Sequence, residues 1–413
     1  MQNIIIIGAG IVGLSSAYYL QKQGHQVTII DKGNIKDSCS FGNAGMIVPS
    51  HFVPLAAPGM IRQGVRWMFN SKSPFYVKPS LGSGLPLWGI KFLQKANRKH
   101  VAESAIPLRD LSLLSKKLYE ELSADPELNF EFTKKGILAY YKTEAAAEEE
   151  THLAHKAKEL GLDIAILTSE ECKALQPKLN IDVLGAAHYR CDAHLDPAKL
   201  MQSLTAYLKK KGVDIIRNEE VTNIERSGKK ITAIFTGIKK WNADQYVLAT
   251  GAWSPSLARM LNLNLSLMPG KGYSFMEEEP EQRMNIPALL CEARVAITPM
   301  NGQLRFGGTM EIAKINSNIN MSRVRGILES VPRYFPDLKP QLPKAEQIWY
   351  GFRPSSPDGL PYIGYSSKVD NLLIATGHGM MGLSLGPATG LLVSQLIAHE
   401  KPEIENLAFH PDR

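Results

Sequence analysis

The N-terminal segment restricts the fold most, because it has the pattern of a strand, a glycine-rich turn, a helix and a second strand. Residues 4–7 are four consecutive isoleucines, which is typical of a buried strand. Gly8, Gly10 and Gly13 follow at once, and the apolar spacing after them predicts a helix. A second short apolar run, residues 26–30, predicts the next strand. The segment therefore predicts a dinucleotide-binding βαβ unit.

Each glycine has a distinct physical role in such a unit. Gly8 permits the tight turn, Gly10 lets the backbone approach a pyrophosphate, and Gly13 lets the helix pack closely on the strand. The helix N-terminus offers free N–H groups and a positive dipole to the phosphates. Asp31, at the end of the second strand, is placed to accept hydrogen bonds from ribose hydroxyls. An acid there disfavours NADP and leaves NAD and FAD open.

Residues 4–20 carry no charge, so a signal peptide or a membrane anchor is the alternative interpretation of this segment. Three features argue against it. No Lys or Arg precedes the run, three glycines interrupt it, and no small-residue cleavage site follows.

Composition excludes several other classes of protein. Hydrophobic residues make up 44% of the 413 residues and charged residues 21%, which is ordinary for a globular chain. The net charge of +7 is spread out, and its densest runs, at residues 98–100 and 209–211, are short. We therefore expect no nucleic-acid partner. The four cysteines have no C-x-x-C spacing, so we expect neither a disulfide framework nor a metal site. We expect the protein to reside in a reducing cytoplasm.

The rest of the chain alternates between helix and strand patterns. One predicted helix, residues 85–99, combines Trp88 and Phe92 with several basic residues, and it is either packed on the core or in contact with an anionic membrane surface. Further helices are predicted at 108–122, 143–160 and 197–211. Further strands are predicted at 130–141, 187–190, 213–216, 221–224, 231–236, 246–248, 304–309 and 372–375.

A second glycine-rich strand-to-helix turn lies near the C-terminus. Strand residues 372–375 lead into Thr376-Gly377-His378-Gly379-Met380-Met381-Gly382, and a helix follows to about residue 399. The chain therefore has a turn of this kind at each end.

Several ordered motifs together resemble a known family. They are Ser40-Phe41-Gly42-Asn43-Ala44-Gly45, Ala56-Ala57-Pro58-Gly59, Trp67-Met68-Phe69, Ala249-Thr250-Gly251-Ala252-Trp253, Pro269-Gly270-Lys271-Gly272-Tyr273, Gly351-Phe352-Arg353-Pro354 with Pro357-Asp358-Gly359, and the C-terminal turn. With the N-terminal unit, they resemble the FAD-dependent D-amino acid oxidase superfamily. Within it the chain is most similar to bacterial D-amino acid dehydrogenases, which are relatives of glycine and sarcosine oxidases.

The resemblance implies an α/β fold of two interleaved domains. A Rossmann-like FAD domain of the glutathione-reductase type would comprise residues 1–71, 187–265 and 348–413. An α+β substrate domain built on an antiparallel sheet would comprise residues 72–186 and 266–347. No cysteine follows Cys291, and the first flavin loop contains no histidine, so the FAD is expected to be noncovalent.

The resemblance also implies which residues meet FAD. They are Gly8, Gly10, Ile11, Val12, Gly13, Asp31, Lys32, Ser40, Asn43, Ala44, Gly45, Met46, Val221, Thr250, Gly251, Trp253, Gly377, His378, Gly379, Met380, Met381 and Gly382.

The implied chemistry is oxidative deamination of a D-amino acid, or of a cyclic imino acid such as D-proline or D-hydroxyproline, with hydride passing from Cα to the flavin. Arg353 would hold the substrate carboxylate, because a planar guanidinium suits bidentate binding. Tyr273 would donate a hydrogen bond to the substrate, and His378 would help stabilise the reduced flavin. Lys271 stays ambiguous, since in oxidase relatives a lysine near the flavin helps oxygen react.

Other functions remain open at this stage. Electrons would pass to a quinone or another carrier. Two further options are that the protein contacts the inner membrane surface and that it forms homo- or hetero-oligomers. The alternatives are a glycine/sarcosine-type oxidase that uses O2, an NAD-dependent dehydrogenase, and a non-catalytic flavoprotein subunit, against which the intact Arg353 motif counts.

Overall fold

Two large sheets organise the part of the chain that the computed structural model describes, residues 1–59, 75–77, 84–279, 281 and 283–413. The Trp67-Met68-Phe69 motif lies outside these residues. The smaller sheet is mostly parallel and the larger one mostly antiparallel. The predicted α/β fold is confirmed.

The smaller sheet is built around the N-terminal isoleucine strand. Its strands are β1 (Asn3–Ile7), β2 (Gln26–Ile30), β9 (Asp214–Ile216), β13 (Gln245–Leu248), β19 (Tyr362–Ser366) and β20 (Val369–Thr376). They lie in the order β19–β20–β13–β1–β2–β9, with only the β19–β20 pair antiparallel. β1 is central and buried on both faces, which explains its unbroken apolar run.

Helices cover this sheet. They include α1 (Ile11–Lys22), α6 (Pro197–Lys210), α7 (Ser254–Met260) and α9 (Gly382–Ile397). α9 packs closely on α1, since a Cβ added at Gly390 would lie 2.5 Å from the backbone of Ser15. Within the described ranges, one stretch, Gly379–Ile397, is long and apolar enough to cross a membrane, but 67% of its most apolar window is buried inside the protein. We therefore assign it to the core.

The larger sheet has nine strands. They are β4 (Phe75–Val77), β5 (Ile137–Tyr141), β6 (Ile164–Thr168), β7 (Gly185–Tyr189), β14 (Met268–Glu278), β15 (Ala288–Leu290), β16 (Val295–Met300), β17 (Gln303–Ile312) and β18 (Trp349–Ser355). The order β18–β14–β17–β16–β15–β5–β7–β6 places β14 between β17 and β18, and β4 pairs with β17. Two pairings, β15–β5 and β17–β4, are parallel.

The remaining elements are further helices and two small sheets. The longest described helix, α3 (Arg98–Ser123), packs on α9. Helices α2 (Leu85–Lys95), α4 (Glu144–Glu159), α5 (Ser169–Leu175) and α8 (Met321–Ser330) pack on the larger sheet. A three-stranded sheet comprises β10 (Val221–Ser227), β11 (Lys230–Thr236) and β12 (Lys239–Trp241), and a two-stranded one pairs β3 (Met46–Ile47) with β8 (Ala193–His194).

Two secondary-structure predictions were wrong. The helix predicted at 85–99 is split between α2 and α3, because Asn97 leaves the helical conformation and its side chain caps the amide of His100. Of the strand predicted at 130–141, only β5 forms, since Gly136 has a left-handed backbone that interrupts it.

Two of the predicted domain boundaries meet strands of the larger sheet. The boundary at residue 187 lies inside β7, and the boundary at residue 348 lies directly before β18. Both strands pair within the larger sheet, so the substrate-domain sheet draws on residues on both sides of these boundaries.

Candidate active site

A cavity of about 1840 Å³ lies between the smaller and the larger sheet. The structure brings almost all of the predicted site residues to its wall, the exceptions being Gly13, Gly45 and Lys271. Those that line it are Gly8, Gly10, Ile11, Val12, Asp31, Lys32, Ser40, Asn43, Ala44, Met46, Val221, Thr250, Gly251, Trp253, Tyr273, Arg353, Gly377, His378, Gly379, Met380, Met381 and Gly382.

The three N-terminal glycines differ in what surrounds them. A Cβ at Gly8, where φ is +111°, would lie 2.5 Å from the carbonyl oxygen of Ala249. A Cβ at Gly13 would lie 1.9 Å from the carbonyl oxygen of Gly8, so this glycine allows α1 to approach the turn. At Gly10 the nearest protein atom would be the Ser40 Oγ, 3.6 Å away. The space beside Gly10 thus faces the cavity, as the approach of a ligand would require.

Polar side chains fix the turn around these glycines. The carboxylate of Asp31 accepts hydrogen bonds from the amides of Ala9, at 2.6 Å, and Gly33, at 2.8 Å. The Ser40 Oγ accepts from the amide of Ile11 at 3.0 Å, in the first turn of α1. Ser40 thus takes the first amide of α1, but Gly10 supplies no side-chain cap, so the next amides of this turn are available to an anion such as a pyrophosphate.

The strand end at Thr250 is connected to the C-terminal turn through hydroxyl groups. Thr250 Oγ1 lies 3.0 Å from Ser254 Oγ, which donates to Thr376 Oγ1 at 2.9 Å. Thr376 in turn donates to the carbonyl of Gly251 at 3.1 Å. This chain of bonds holds β13 and β20 in a fixed relation where both meet the cavity.

The loop after residue 38 is fastened to the larger sheet. Ser274 Oγ donates to the carbonyl of Gly42 at 2.8 Å, and Arg305 Nη1 donates to the carbonyl of Asn43 at 3.1 Å. Gly45 has a left-handed backbone, where a Cβ would lie 2.3 Å from the carbonyl oxygen of Leu195. Sequence reasoning missed Arg305, because no local motif indicates which loop a strand residue will reach. Burial lowers its pKa to about 10.

The C-terminal turn presents backbone groups to the cavity. Gly377 has a φ of +84°, and α9 begins at Gly382 with no side-chain cap. His378 Nε2 lies 2.9 Å from Thr389 Oγ1, and burial lowers the pKa of its ring to about 3. His378 is therefore neutral at ordinary pH, so any stabilisation of negative charge here comes from the amides at the start of α9 rather than from an imidazolium.

Arg353 lies in β18 on the cavity wall. Its Nη1 donates to the carbonyl of Thr309 at 2.6 Å, and no ion pair involving it is found among the described residues. A Cβ at Gly272, in the neighbouring strand, would lie 2.3 Å from Nη1, so the missing side chain makes room for the guanidinium. Burial lowers the pKa of Arg353 to about 10. Arg353 is thus a half-buried cation for which the described residues offer no counterion, and such a group is suited to bind an anion from the cavity.

Tyr273 and Lys271 are on the face of β14 opposite the guanidinium. The register pairs them with Tyr350 and Phe352, whose positions alternate with that of Arg353. The phenol oxygen of Tyr273 accepts from the amide of Asn320, and Lys271 Nζ donates to both the carbonyl and the side-chain oxygen of Asn316. The structure therefore does not bring either polar group to Arg353.

A second group of polar residues on the cavity wall was missed by sequence reasoning. Asp192 accepts from the amide of Ser50 at 3.0 Å and from its hydroxyl at 2.6 Å. Ser50 Oγ also lies 3.3 Å from Nδ1 of His51, whose pKa burial lowers to about 4. Asp192 is only 1% exposed, and burial raises its pKa to about 7. The contact joins residues far apart in sequence, so no motif could reveal it.

The raised pKa of Asp192 predicts a pH-dependent effect on stability. Between pH 4 and pH 7 the folded protein holds a proton at this carboxyl that the unfolded chain releases, so its contribution to stability falls as the pH rises. Asp192→Asn removes this penalty. Since one pKa unit corresponds to about 1.4 kcal/mol, the variant should gain roughly 3 kcal/mol over the original protein between pH 5 and pH 8.

Thermal unfolding at saturating FAD, compared at several pH values, measures this gain. Asp163→Asn is the matched control, because it makes the same change at a side chain that is 69% exposed and does not line the cavity. A difference between Asp192→Asn and the original protein that stays constant from pH 5 to pH 8 would contradict the assignment.

The residues present fit a flavin dinucleotide. Gly10 leaves open backbone beside the first turn of α1, α9 presents a second uncapped helix start, and the cavity extends past both. No group of three or more His, Cys, Asp or Glu side chains that could hold a metal is found in the described ranges. The fold and the site together define a two-domain, dinucleotide-dependent oxidoreductase.

Comparison with known proteins gives the family. The chain belongs to the DAO family, FAD dependent oxidoreductase, whose sequence profile matches residues 3–396. It is 30% identical over 396 residues to a D-amino acid dehydrogenase of Helicobacter pylori, covering 96% of this chain and 94% of that protein. A D-amino acid dehydrogenase of Granulibacter bethesdensis is 28% identical over 410 residues, covering 98% and 97%. The predicted family and FAD dependence are confirmed, and the NAD-dependent alternative is set aside.

Solved structures share the fold. Glycine oxidase from Geobacillus kaustophilus superposes with a TM-score of 0.79 at 23% identity, covering 100% of this chain and 99% of that one. L-proline dehydrogenase from P. horikoshii gives a TM-score of 0.74 at 21% identity, covering 99% and 96%. At these identities the likeness supports the architecture alone.

Proposed function

We propose that the protein oxidises a D-amino acid, or a cyclic D-imino acid such as D-proline or D-hydroxyproline, with noncovalent FAD. The D configuration is supported by the curated relatives, which are D-amino acid dehydrogenases. Noncovalent binding is supported by the sequence, because no cysteine follows Cys291 and the loop around Gly42 has no histidine. Electrons leave for a quinone or another carrier.

The observation that carries this proposal is the guanidinium of Arg353 on the cavity wall, which has no ion-pair partner among the described residues. Its Nη1 donates to the carbonyl of Thr309, and in the part of the chain that the structure describes no partner is found for Nε or Nη2, so these groups are available to a carboxylate. A carboxylate would supply the missing counterion, and the planar fork would fix its orientation. The acid group of an amino acid is therefore the ligand that this site suits best.

The chain's own residues bind and orient, while bound FAD supplies the redox chemistry by accepting a hydride. Arg353 holds the carboxylate and thereby directs Cα. The neutral amine of the substrate loses its Cα hydrogen as a hydride and becomes a protonated imine. Water then hydrolyses the imine of a primary amino acid to a 2-oxo acid and ammonium, whereas the imine of a cyclic substrate keeps its nitrogen in the product. The amides of Gly379 and Met380 and those at the start of α9 stabilise negative charge at the edge of the cavity.

The placement of Lys271 supports a carrier rather than O2 as the acceptor. Its ammonium group is held by oxygens of the 316–318 segment and has the ring of Tyr350 4.4 Å away, and it does not line the cavity. The lysine that the resemblance associates with oxygen reactivity is thus directed away from the proposed flavin position. A glycine/sarcosine-type oxidase remains the alternative outcome of the test.

Anaerobic mixing of the FAD-loaded protein with single D- and L-amino acids tests the proposal. We expect D-amino or imino acids to bleach the flavin absorbance and their L-enantiomers to leave it unchanged. The reduced protein should then recolour quickly with a soluble quinone and slowly with air. Fast recolouring in air with release of peroxide would indicate the oxidase, and no bleaching by any amino acid would exclude both.

We also propose that α2 meets an anionic membrane surface. Leu87, Ile90 and Leu93 are each more than half exposed on one side of α2, while Trp88 is buried and donates to the carbonyl of Ser355. α2 contains no acidic residue, and basic residues lie in it and directly after it. An exposed apolar stripe beside basic side chains favours an interfacial position.

Cosedimentation with vesicles tests this contact. The original protein should bind vesicles of phosphatidylcholine with phosphatidylglycerol, less so at high salt. Replacing Leu87, Ile90 and Leu93 together with serine should reduce the bound fraction several-fold with an unchanged melting temperature. Ile238→Ser, at an exposed apolar side chain elsewhere, is the control. Equal binding by the triple variant would contradict the proposal.

A further inference from the structure

Thr309 has a backbone conformation that its residue type disfavours. Its φ is +63°, in the left-handed region. Among the non-glycine residues with such a φ in the described part of the chain, Thr309 alone is β-branched. A β-branched side chain there is strained, and strain of this kind persists only where the surrounding structure holds it, most often at functional sites.

An irregularity in the larger sheet produces this conformation. The register between β14 and β17 pairs Lys271 with Glu311 but Tyr273 with Gly308. Two residues of β17, Thr309 and Met310, therefore lie opposite one residue of β14, Gly272, as in a β-bulge. Bulges next to active sites redirect groups that a regular strand would aim elsewhere.

The redirected group here is the carbonyl of Thr309. It accepts the 2.6 Å hydrogen bond from Arg353 Nη1, while Gly272 leaves the space that the guanidinium occupies. The hydroxyl has no comparable role, since the side chain is 7% exposed and Oγ1 has no hydrogen-bond partner in the described structure. Backbone and side chain of Thr309 thus make separable contributions.

We propose that Thr309 is a positioning residue whose strained, left-handed backbone directs its carbonyl at Arg353 and so fixes the guanidinium for the substrate carboxylate. The inference rests on the proposed function, because it assumes that Arg353 binds that carboxylate. On this proposal, the bulge of β17 fixes the orientation in which the Arg353 guanidinium meets the carboxylate.

Substitutions at Thr309 separate backbone from hydroxyl. Thr309→Pro fixes φ at about −65° and so forces the peptide out of its left-handed conformation. The guanidinium then loses its fixed partner, and binding should weaken about tenfold, as for loss of one hydrogen bond. Thr309→Val keeps the β-branched side chain and removes an unpartnered hydroxyl, so binding should be unchanged and the melting temperature equal or higher. Thr309→Asn and Thr309→Gly both tolerate a left-handed backbone and should keep binding to within about twofold.

Calorimetric titration of the FAD-loaded variants with anthranilate, which carries an amine beside a carboxylate, gives the affinities. Steady-state kinetics should show a raised KM and a nearly unchanged kcat for Thr309→Pro. Asn301→Pro is the matched control, because Asn301 also has a left-handed backbone but lies in the turn before β17, at the other end of the strand. It should bind as the original protein does.

The outcomes separate the two proposals. Unaltered affinity in Thr309→Pro, or equal weakening in Thr309→Val and Thr309→Asn, would overturn the positioning role while Arg353 kept its own. If the original protein bound no anthranilate, or bound it equally well after Arg353→Leu, the proposed function would be the part that fails.

Discussion

Arg353→Leu should leave the protein yellow and folded but remove most of its amino acid-driven flavin reduction. Hydrogen bonds to a charged group are worth roughly 1.5–3 kcal/mol each, so the loss of a bidentate pair should lower kcat/KM by about 10²–10⁴-fold. Stability should not fall, because leucine replaces a half-buried cation that has no counterion among the described residues. Anaerobic stopped-flow reduction and thermal unfolding measure the two effects.

Two further variants show whether the loss is specific to the guanidinium. Arg353→Lys keeps the charge without the planar fork and should be impaired less than Arg353→Leu. Arg305→Leu removes a different buried arginine, one that donates to the carbonyl of Asn43 in the loop beside the cavity. It should lose FAD on dilution yet be reduced at a near-normal rate when FAD is saturating. Equal rates for Arg353→Leu and the original protein would remove Arg353 from the site.

Gly10→Val and Gly13→Val should fail in different ways. A Cβ at Gly10 would lie 3.6 Å from Ser40 Oγ, which is an ordinary contact, so the FAD-free protein should fold normally. The valine side chain would occupy the place of the pyrophosphate, so the affinity for FAD should fall by about 100-fold or more. A Cβ at Gly13 would overlap the carbonyl of Gly8, so this variant should not fold stably. Flavin fluorescence titration and circular dichroism distinguish the two results.

Gly24→Ala provides the control for a glycine outside the cavity. Its φ of +80° makes alanine strained, but no atom lies within 4 Å of an added Cβ. A modest loss of stability with unchanged FAD affinity is expected. If Gly10→Val bound FAD as well as Gly24→Ala did, the pyrophosphate could not lie beside Gly10.

Local patterns predicted much of the fold. The isoleucine strand, the glycine turns and the helices after them are encoded by spacing within a few residues, and the structure forms them as expected at β1, α1, β20 and α9. The helix predicted at 85–99 was wrong because one capping residue, Asn97, outweighed a continuous amphipathic pattern.

Other features depend on contacts that the sequence does not display. The register between β14 and β18 decides which face of β14 carries Lys271 and Tyr273. That register is known only from the fold. The contact of Ser50 with Asp192 spans 142 positions, and the strained backbone of Thr309 arises from a bulge between two distant strands. Motifs therefore indicated the cofactor side of the cavity better than the substrate side.

A crystal structure of the protein with FAD and a bound carboxylate such as anthranilate tests the central claim most directly. We expect the flavin ring between the turn at Gly8–Gly13 and the turn at Gly377–Gly382, with the ligand carboxylate within hydrogen-bond distance of two guanidinium nitrogens of Arg353. A ring outside this cavity, or a carboxylate bound away from Arg353, would contradict the account.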